Sequence, residues 1–173
     1  MSTSTPSPSE ALPTRLAEPD LESGPAVDLL EHASGADGEA WALMMRLFFT
    51  YVQPRYAVIA QDFGLHPAQA MVLQLLAEPR PMGALAAAKH CDSSNITGIV
   101  DRLEERRLVE RRADERDRRV KLIALTTEGE RLRAELNHRL AEPPQALSDL
   151  SESDRRALRE ILRRALESTT KTA

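Results

Sequence analysis

The sequence predicts a mainly α-helical fold that carries one small β-ribbon, and three observations lead to this class. Apolar residues recur at helical spacing along most of the chain. Between residues 108 and 125 this period gives way to two short apolar runs around a charged turn, as in a β-hairpin. Prolines and small polar residues separate the segments. The 173 residues suffice for one domain with a substantial core and a short extension.

Composition and motifs exclude several classes of protein. No apolar run approaches the roughly 18 residues of a membrane span, and no secretory segment follows Met1. A single cysteine excludes a disulfide framework and a cysteine-rich zinc site. The seven glycines form no phosphate-binding loop, and the motifs GxSxG and HExxH do not occur. We therefore expect a cytoplasmic protein that is not an enzyme and uses no metal or cofactor.

Charge is distributed unevenly along the chain. Residues 1–40 hold eight acids and one base, which gives this segment a net charge of −7. Since the whole chain carries −4, residues 41–173 carry +3. The first 36 residues are rich in serine, threonine, glycine and proline and hold no aromatic residue. Such a segment buries too little apolar surface to offset its ordering entropy. We expect residues 1–36 to be a flexible acidic extension, with 27–30 as an optional short docked helix, and 169–173 to be a tail.

The first long helix is expected over residues 39–63, where all six aromatic residues lie. Its sequence is apolar on every side, which indicates burial against its own domain or against a partner chain. Pro54 is expected to kink or divide it. The default role of the aromatic residues is core or dimer packing. The alternative is a ligand pocket, for which the candidates are Trp41, Phe48, Tyr51 and Tyr56.

Three further helices precede the ribbon. Pro67 suits the first turn of a helix that runs to residue 78, with an apolar stripe of Met71, Val72, Leu75 and Leu76. Residues 79–81 form a connector, and a short helix covers 82–90. A helix over 92–106 begins at Asp92, a good N-cap. Its core-facing positions follow the spacing i, i+3, i+4, i+7 and are Ile96, Ile99, Val100 and Leu103.

From residue 108 onward the sequence predicts two strands followed by two helices. Two short strands over 108–112 and 120–125 flank the charged turn 113–119. Thr126 caps a helix that runs to residue 141, where two prolines interrupt it. A last helix covers 151–167 and begins with a capping-box-like Ser151 and Asp154.

This order of elements is that of a winged helix-turn-helix over residues 64–125, a module that binds double-stranded DNA. A helix fits the major groove, and residues near its N-terminus reach base edges. Gly98 would let the backbone approach the DNA closely. The candidate base and phosphate contacts on this helix are Ser93, Ser94, Asn95, Thr97 and Arg102.

The turn between the strands supplies the second predicted contact. Six bases lie between residues 111 and 121, and arginine inserted into a narrow minor groove reads DNA shape. We expect Arg116 at the tip, with Arg118 and Arg119 on an aspartate or a phosphate. Asp114 and Asp117 are expected to hold the loop rigid by pairing with neighbouring arginines.

The cysteine and the histidines each have a structural and a functional interpretation. Cys91 precedes the predicted DNA-reading helix, where a small buried residue packs well, and redox sensing is the alternative. The widely spaced histidines fit surface or capping roles better than a metal site, since no pair has ligand spacing. They are His32, His66, His90 and His138.

The sequence resembles the MarR family of bacterial transcription regulators. The resemblance lies in NITGIVDRLE at 95–104, LVER at 108–111, DERDRR at 114–119, LTTEG at 125–129 and LSDLSESD at 147–154.

The resemblance covers residues 39–168 and implies a domain over 37–168. It implies a homodimer joined by the helices of 39–63 and 126–168, a palindromic operator, and repression relieved by a small organic, phenolic or lipophilic effector. Three positions depart from the family pattern: Arg107 replaces a glycine, Gly83 replaces a serine or threonine cap, and two prolines at 143–144 break a helix that is often long. Because glycine suits a left-handed helix end, we expect strain at Arg107.

Two rival functions remain open at this point. One is a winged-helix module for protein association, and the other is a DNA binder without a ligand. The basic turn argues against the first, because arginines suit phosphates better than an apolar contact surface.

Overall fold

A computed structural model describes residues 28–89, 93–115 and 117–170. The chain divides into two compact units, one up to Asn137 and one from His138 onward. In the first unit and the helix that leaves it, the helices are α1 (Leu29–His32), α2 (Gly35–Leu47), a π-helical turn (Phe48–Val52), α3 (Gln53–Asp62), α4 (Pro67–Leu75), α5 (Met82–Ala88), α6 (Ser93–Glu105) and α7 (Thr127–Ala141). The strands are β1 (Arg80–Pro81), β2 (Val109–Ala113) and β3 (Lys121–Leu125).

Pro54 is accommodated by a change of helix type. The residues from 35 to 62 stay helical, but the turn before Pro54 is a π-helix in which the Gln53 N–H reaches back to the Phe48 carbonyl. A proline lacks the N–H that an α-helix needs and crowds the preceding turn, so a widened turn accommodates it. The kink or division expected at Pro54 is therefore a π-helical turn. The helical segment begins at Gly35, which the sequence analysis placed within the flexible extension.

The buried face of α4 differs from the predicted stripe. Met71 is 42% exposed, whereas Val72 and Leu76 are buried as expected. Gln69, Ala70 and Leu73 complete the face that packs inward. His66 begins this helix with a capping box: its Nδ1 accepts the Ala68 N–H at 3.2 Å, and the Gln69 Oε1 accepts the His66 N–H at 2.8 Å.

The core of the first unit is centred on α6, whose four predicted core positions are all buried. Ile96, Val100 and Leu103 are fully enclosed, and Ile99 is 7% exposed. Asp92, the predicted cap of this helix, lies outside the described residues, as do His90 and Cys91.

Two helices of this unit end in the same way. The Leu65 N–H donates to the Ala60 carbonyl at 2.9 Å after α3, and the Leu108 N–H donates to the Leu103 carbonyl at 2.9 Å after α6. This Schellman end places one residue in the left-handed region. That residue is Gly64 (φ 64) in the first case and Arg107 (φ 58) in the second, which confirms the strain expected at Arg107.

The ribbon is part of a three-stranded antiparallel sheet with the order β1-β3-β2. Arg80 and Pro81 of β1 pair with Ile123 and Leu122 of β3. The sequence analysis gave residues 79–81 as a connector, because two residues beside prolines carry no strand pattern. Val109 faces Leu125 at the end of β2 and β3 remote from the turn, and Ala113 faces Lys121 beside the turn.

The Leu108 carbonyl joins α6, the sheet and α7. It accepts the Thr126 N–H at 3.1 Å. Thr126 Oγ1 donates to the Arg107 carbonyl at 2.7 Å and accepts the Gly129 N–H at 3.1 Å, as the predicted cap requires. A Cβ on Gly129 would lie 1.9 Å from the Leu108 oxygen, so only glycine permits this approach.

The second unit contains the end of α7 and two helices. They are α8 (Gln145–Ser148), which the sequence analysis did not predict, and α9 (Glu152–Thr170). Ser151 Oγ accepts the Asp154 N–H at 3.1 Å, which confirms the predicted start of the last helix. Ile161, Leu162 and Leu166 on α9 are exposed. Among the described residues, no helix has the length and apolarity to cross a membrane.

We expect Arg107→Gly to stabilise the protein by about 1 kcal/mol, because glycine adopts a left-handed conformation without the Cβ penalty. Urea unfolding measures this. The control is Gly64→Ala, which should destabilise by a similar amount because it introduces the same penalty at φ 64. A neutral or destabilising Arg107→Gly would contradict the role assigned to the positive φ.

We expect Gly129→Ala to destabilise the protein by roughly 2–3 kcal/mol, because its Cβ would overlap a backbone oxygen that cannot move away freely. Gly83→Ala is the matched control, since nothing lies within 4 Å of a Cβ placed there. Equal urea midpoints for the two variants would refute the close approach.

Candidate nucleic-acid interface

The face of α6 opposite the core is open to solvent. Asn95, Gly98 and Arg102 are exposed and recur at i, i+3, i+7, so they lie on one stripe. Arg102 has no ion-pair or hydrogen-bond partner for its guanidinium in the described part of the chain. Ser93 and Ser94 begin the helix, but their side chains lie outside the described set. Thr97 is also exposed and already has a partner in the protein.

Gly98 makes the middle of this stripe flat. A Cβ built on it meets no atom within 4 Å, so packing inside the protein does not require a glycine there. Glycine in a helix interior costs roughly 0.5–1 kcal/mol relative to alanine. The residue therefore lowers stability for no internal gain, and it leaves the helix backbone accessible to a large partner.

The turn between β2 and β3 is ordered by backbone contacts. The Asp114 N–H donates to the Val120 carbonyl at 3.0 Å, and the Val120 N–H donates to the Asp117 carbonyl at 2.9 Å. Asp117 Oδ1 accepts the backbone N–H of Arg119 at 2.9 Å. Asp117 thus orders the loop through the main chain, whereas the sequence analysis expected it to pair with an arginine side chain.

The arginines of the ribbon divide into two groups. Arg112 pairs with Glu110 of its own strand at 2.5 Å, and Arg111 pairs with residues of α6. The side chains of Arg118, Arg119 and Lys121 are exposed and have no ion-pair partner among the described residues. Arg116, the predicted tip, lies outside that set. The cations nearest the turn are therefore the ones that remain available to an anionic partner.

Arg111 ties the ribbon to α6. Its Nη2 donates to Asp101 Oδ1 at 2.6 Å, and its Nη1 donates to Glu104 Oε2. The hydrogen bond to Asp101 raises the pKa of Arg111 further above its ordinary value, so this charge persists at every accessible pH. The sequence analysis counted Arg111 only as one of the six bases near the turn, and its position opposite two carboxylates makes it a positioning residue.

A second arginine ties α6 to the preceding helices. Arg106 donates to the Gly64 carbonyl at 2.6 Å and to the Phe63 carbonyl at 3.2 Å. These carbonyls belong to the Schellman end of α3, and such orphan groups readily accept charged donors. The sequence offered no signal for this contact, because its partners lie more than 40 residues away.

The four aromatic candidates for a ligand pocket differ in their surroundings. Trp41 is 59% exposed and Phe48 is 43% exposed, while Tyr51 is partly exposed. Tyr56 donates to Gln74 Oε1 at 2.9 Å, and Gln74 in turn donates to Asn137 at 3.0 Å. Burial raises the pKa of Tyr56 to about 12, so its hydroxyl stays protonated and keeps this link between α3, α4 and α7.

Two histidines in the described ranges take local roles. His66 caps α4, and the His32 ring contacts the Asp28 carbonyl at 2.8 Å. Within those ranges, no group of three or more histidine, cysteine or carboxylate side chains is arranged to hold a metal ion.

Comparison with known proteins places this geometry in context. The sequence model of the MarR family matches residues 65–121, which include α4 to β2 and the turn. YwoH, an uncharacterized HTH-type transcriptional regulator of Bacillus subtilis, is 31% identical over 110 residues, which are 62% of this chain and 80% of YwoH. YsmB, another such regulator of Bacillus subtilis, is 35% identical over 97 residues. That match spans 55% of this chain and 64% of YsmB, slightly less than two thirds of its length.

A solved structure is similar over more of the fold. CouR from Rhodococcus jostii, in a crystal structure bound to p-coumaroyl-CoA, is 32% identical with a TM-score of 0.58. The alignment covers 75% of this chain and 93% of that chain. The similarity therefore extends beyond the winged helix to most of the described helices.

We expect Arg111→Gln to loosen the ribbon while leaving the fold intact. The free energy of unfolding should fall by less than about 1 kcal/mol, because the ion pairs are substantially exposed. Amide exchange in β2 and β3 should nevertheless become faster, as the ribbon loses its attachment to α6. Arg112→Gln is the control, because its ion pair stays within one strand. Equal exchange rates in the two variants would contradict the bridging role.

Proposed function

We propose that this chain, which belongs to the MarR family of transcription regulators, represses transcription by binding double-stranded DNA as a homodimer and releases it on binding a small organic ligand. One observation carries the DNA-binding part: the flat stripe of Asn95, Gly98 and Arg102 lies on an exposed helix face that Arg111 ties to a ribbon with unpaired arginines.

The stripe on α6 has the chemistry of a major-groove reader. An asparagine amide can bond an adenine edge with two hydrogen bonds, and an arginine can bond guanine or a phosphate. Asn95 and Arg102 are about 10.5 Å apart along the helix axis, which is close to three base-pair steps. Gly98 between them lets the helix approach the base edges. Ser93, Ser94 and Thr97 are proposed to add contacts at the same end.

The ribbon is proposed to follow the adjacent minor groove. Arginine side chains bind there because a narrow minor groove has an enhanced negative potential. Arg118 and Arg119 are exposed and unpaired within the described residues, which supports this role. Arg116 remains the proposed residue for the deepest insertion, and Asp114 and Asp117 are proposed to fix the loop around it.

Dimerisation is supported by the apolar surface of individual helices. The segment 41–52 leaves several large apolar side chains exposed: Trp41, Leu43, Met44, Leu47, Phe48 and Val52. On α9, Ile161, Leu162 and Leu166 are exposed in the same way. Apolar surface of this extent is typical of a protein interface, and a second copy of the chain would cover it. A two-fold dimer presents two α6 helices about 34 Å apart to a palindromic operator.

The proposal of an effector rests on a similar protein whose structure contains a bound ligand. CouR is bound to p-coumaroyl-CoA in its structure, and this chain is 32% identical to it. We propose an effector that is phenolic or lipophilic, for which Trp41, Phe48, Tyr51 and Tyr56 are the candidate contacts. The proposed action on DNA also implies a cytoplasmic protein with no enzymatic reaction of its own.

Fluorescence anisotropy with the DNA next to the protein's own gene tests the proposal, at two salt concentrations and against a random duplex. We expect saturable binding of one dimer per site that random DNA does not displace. Arg118→Ala should lower the slope of log affinity against log salt by about 1, because one phosphate contact is lost. Arg131→Ala, whose ion pairs lie on α7, is the control. Absence of binding at low salt would overturn the proposal and favour a protein-association module.

Gly98→Ala separates DNA binding from stability. We expect the free energy of unfolding to rise by roughly 0.5–1 kcal/mol, because alanine favours the helix. The DNA affinity should fall by about tenfold, since the methyl group holds the helix away from the bases. Gly83→Ala should leave the affinity unchanged. A Gly98→Ala protein that binds DNA like the original would show that this face does not enter the groove.

A further inference from the structure

A cavity in the first unit has no part in the proposed DNA interface. Its volume is about 330 Å³, and it lies where the end of α4, the sheet and α7 meet. The apolar part of its wall is Leu76, Ala77, Pro79, Ala124 and Leu125. Cavities of this size accept a small organic molecule.

Arg133 on α7 lines this cavity and is incompletely satisfied. Its Nε is buried, and it is the one buried side-chain nitrogen or oxygen in the described residues that has no hydrogen-bond partner. A buried donor of this kind is costly unless something pairs with it. The Nε is closed off from solvent, so a ligand in the cavity meets the end of the guanidinium, whose two Nη groups match the two oxygens of a carboxylate.

The same cavity also presents negative charge. Glu130 lies one turn before Arg133 on α7, and Glu78 lies in the loop after α4. Neither carboxylate forms an ion pair with Arg133 or with another described cation. The other arginine in the wall, Arg112, is paired with Glu110 at 2.5 Å. The wall therefore holds one unpaired cation and two unpaired carboxylates.

We propose that this cavity binds a small zwitterion of the α-amino acid class. The carboxylate of the ligand pairs with Arg133, and its ammonium group pairs with Glu130 or Glu78. An apolar side chain lies against Leu76 and Pro79. A simple anion is disfavoured because the two glutamates repel it, and a simple amine is disfavoured because Arg133 repels it. This site is separate from the aromatic candidates for the effector.

Ligand binding should strengthen a specific junction. Ala124 and Leu125 belong to β3, while Glu130 and Arg133 belong to the first turns of α7, beside the contact of Gly129 with Leu108. A molecule that bridges both walls binds the folded state only, so it raises the melting temperature, and the rise grows with the logarithm of the ligand concentration above its Kd.

Isothermal titration calorimetry of the full chain with L-leucine tests the proposal. The controls are 4-methylpentanoate, which lacks the amino group, and isopentylamine, which lacks the carboxylate. We expect saturable binding of leucine and at least tenfold weaker binding of each control. Arg133→Gln and Glu130→Gln should each reduce the leucine affinity at least tenfold, whereas Arg131→Gln on the same helix should not.

Melting curves show that each variant is folded before it is titrated, and DNA binding is measured separately. Absence of saturable leucine binding to the original protein would overturn the proposal. Equal binding of leucine and 4-methylpentanoate would also overturn it, because the glutamates would then have no part. Neither result would affect the proposed function, which depends on other residues.

Discussion

The carbonyl oxygen of Leu108 is the contact on which the rest of the first unit depends. Leu108 closes α6, because its N–H donates to the Leu103 carbonyl at 2.9 Å, and the next residue begins β2. The carbonyl of the same residue accepts the Thr126 N–H at 3.1 Å, and Gly129 packs against it at the start of α7. The end of α6, the start of β2 and the start of α7 thus meet at Leu108. The orientation of the ribbon relative to α6 follows from this junction together with the ion pairs of Arg111.

The arginines show how one residue type serves two purposes. Arg106 and Arg111 hold α6 against its neighbours, the first through backbone carbonyls and the second through carboxylates. Arg102 and Arg118 extend into solvent without partners in the described part of the chain. The number of arginines in the sequence therefore overstates the positive charge that is available to DNA. Arg106 and Arg111 favour DNA binding by Arg102 and Arg118, since a mobile ribbon would lose conformational entropy on binding.

Local signals in the sequence were sufficient for most of the fold. The spacing of Ile96, Val100 and Leu103 fixed the inward face of α6, and Thr126 marked the start of α7 because a cap acts within one turn. Strain at Arg107 was expected from the family resemblance, which places a glycine at this helix end, and a Schellman end needs a positive φ whatever residue occupies it. These features depend on neighbours a few residues away, so the sequence alone contains them.

The features that were missed depend on distant partners. The strand β1 exists only because β3 offers it hydrogen bonds, and two residues beside prolines have no strand pattern of their own. The exposure of Met71 follows from which face of α4 the other helices cover, and the periodicity of an apolar helix leaves several choices. The pairing of Arg111 with Asp101 joins a strand to a helix, and no spacing rule predicts such a pair. Of the candidate site, the stripe on α6 was foreseen, while the division of the arginines was not.

The central claim is that the exposed face of α6 enters the major groove while the ribbon follows the adjacent minor groove. Dimethyl sulfate probing of the bound duplex tests both parts together, because the reagent methylates guanine N7 in the major groove and adenine N3 in the minor groove. We expect protection of N7 in two half-sites about one helical turn apart, with protection of N3 in the flanking minor grooves. A bound duplex in which N7 remains as reactive as in free DNA would contradict the claim.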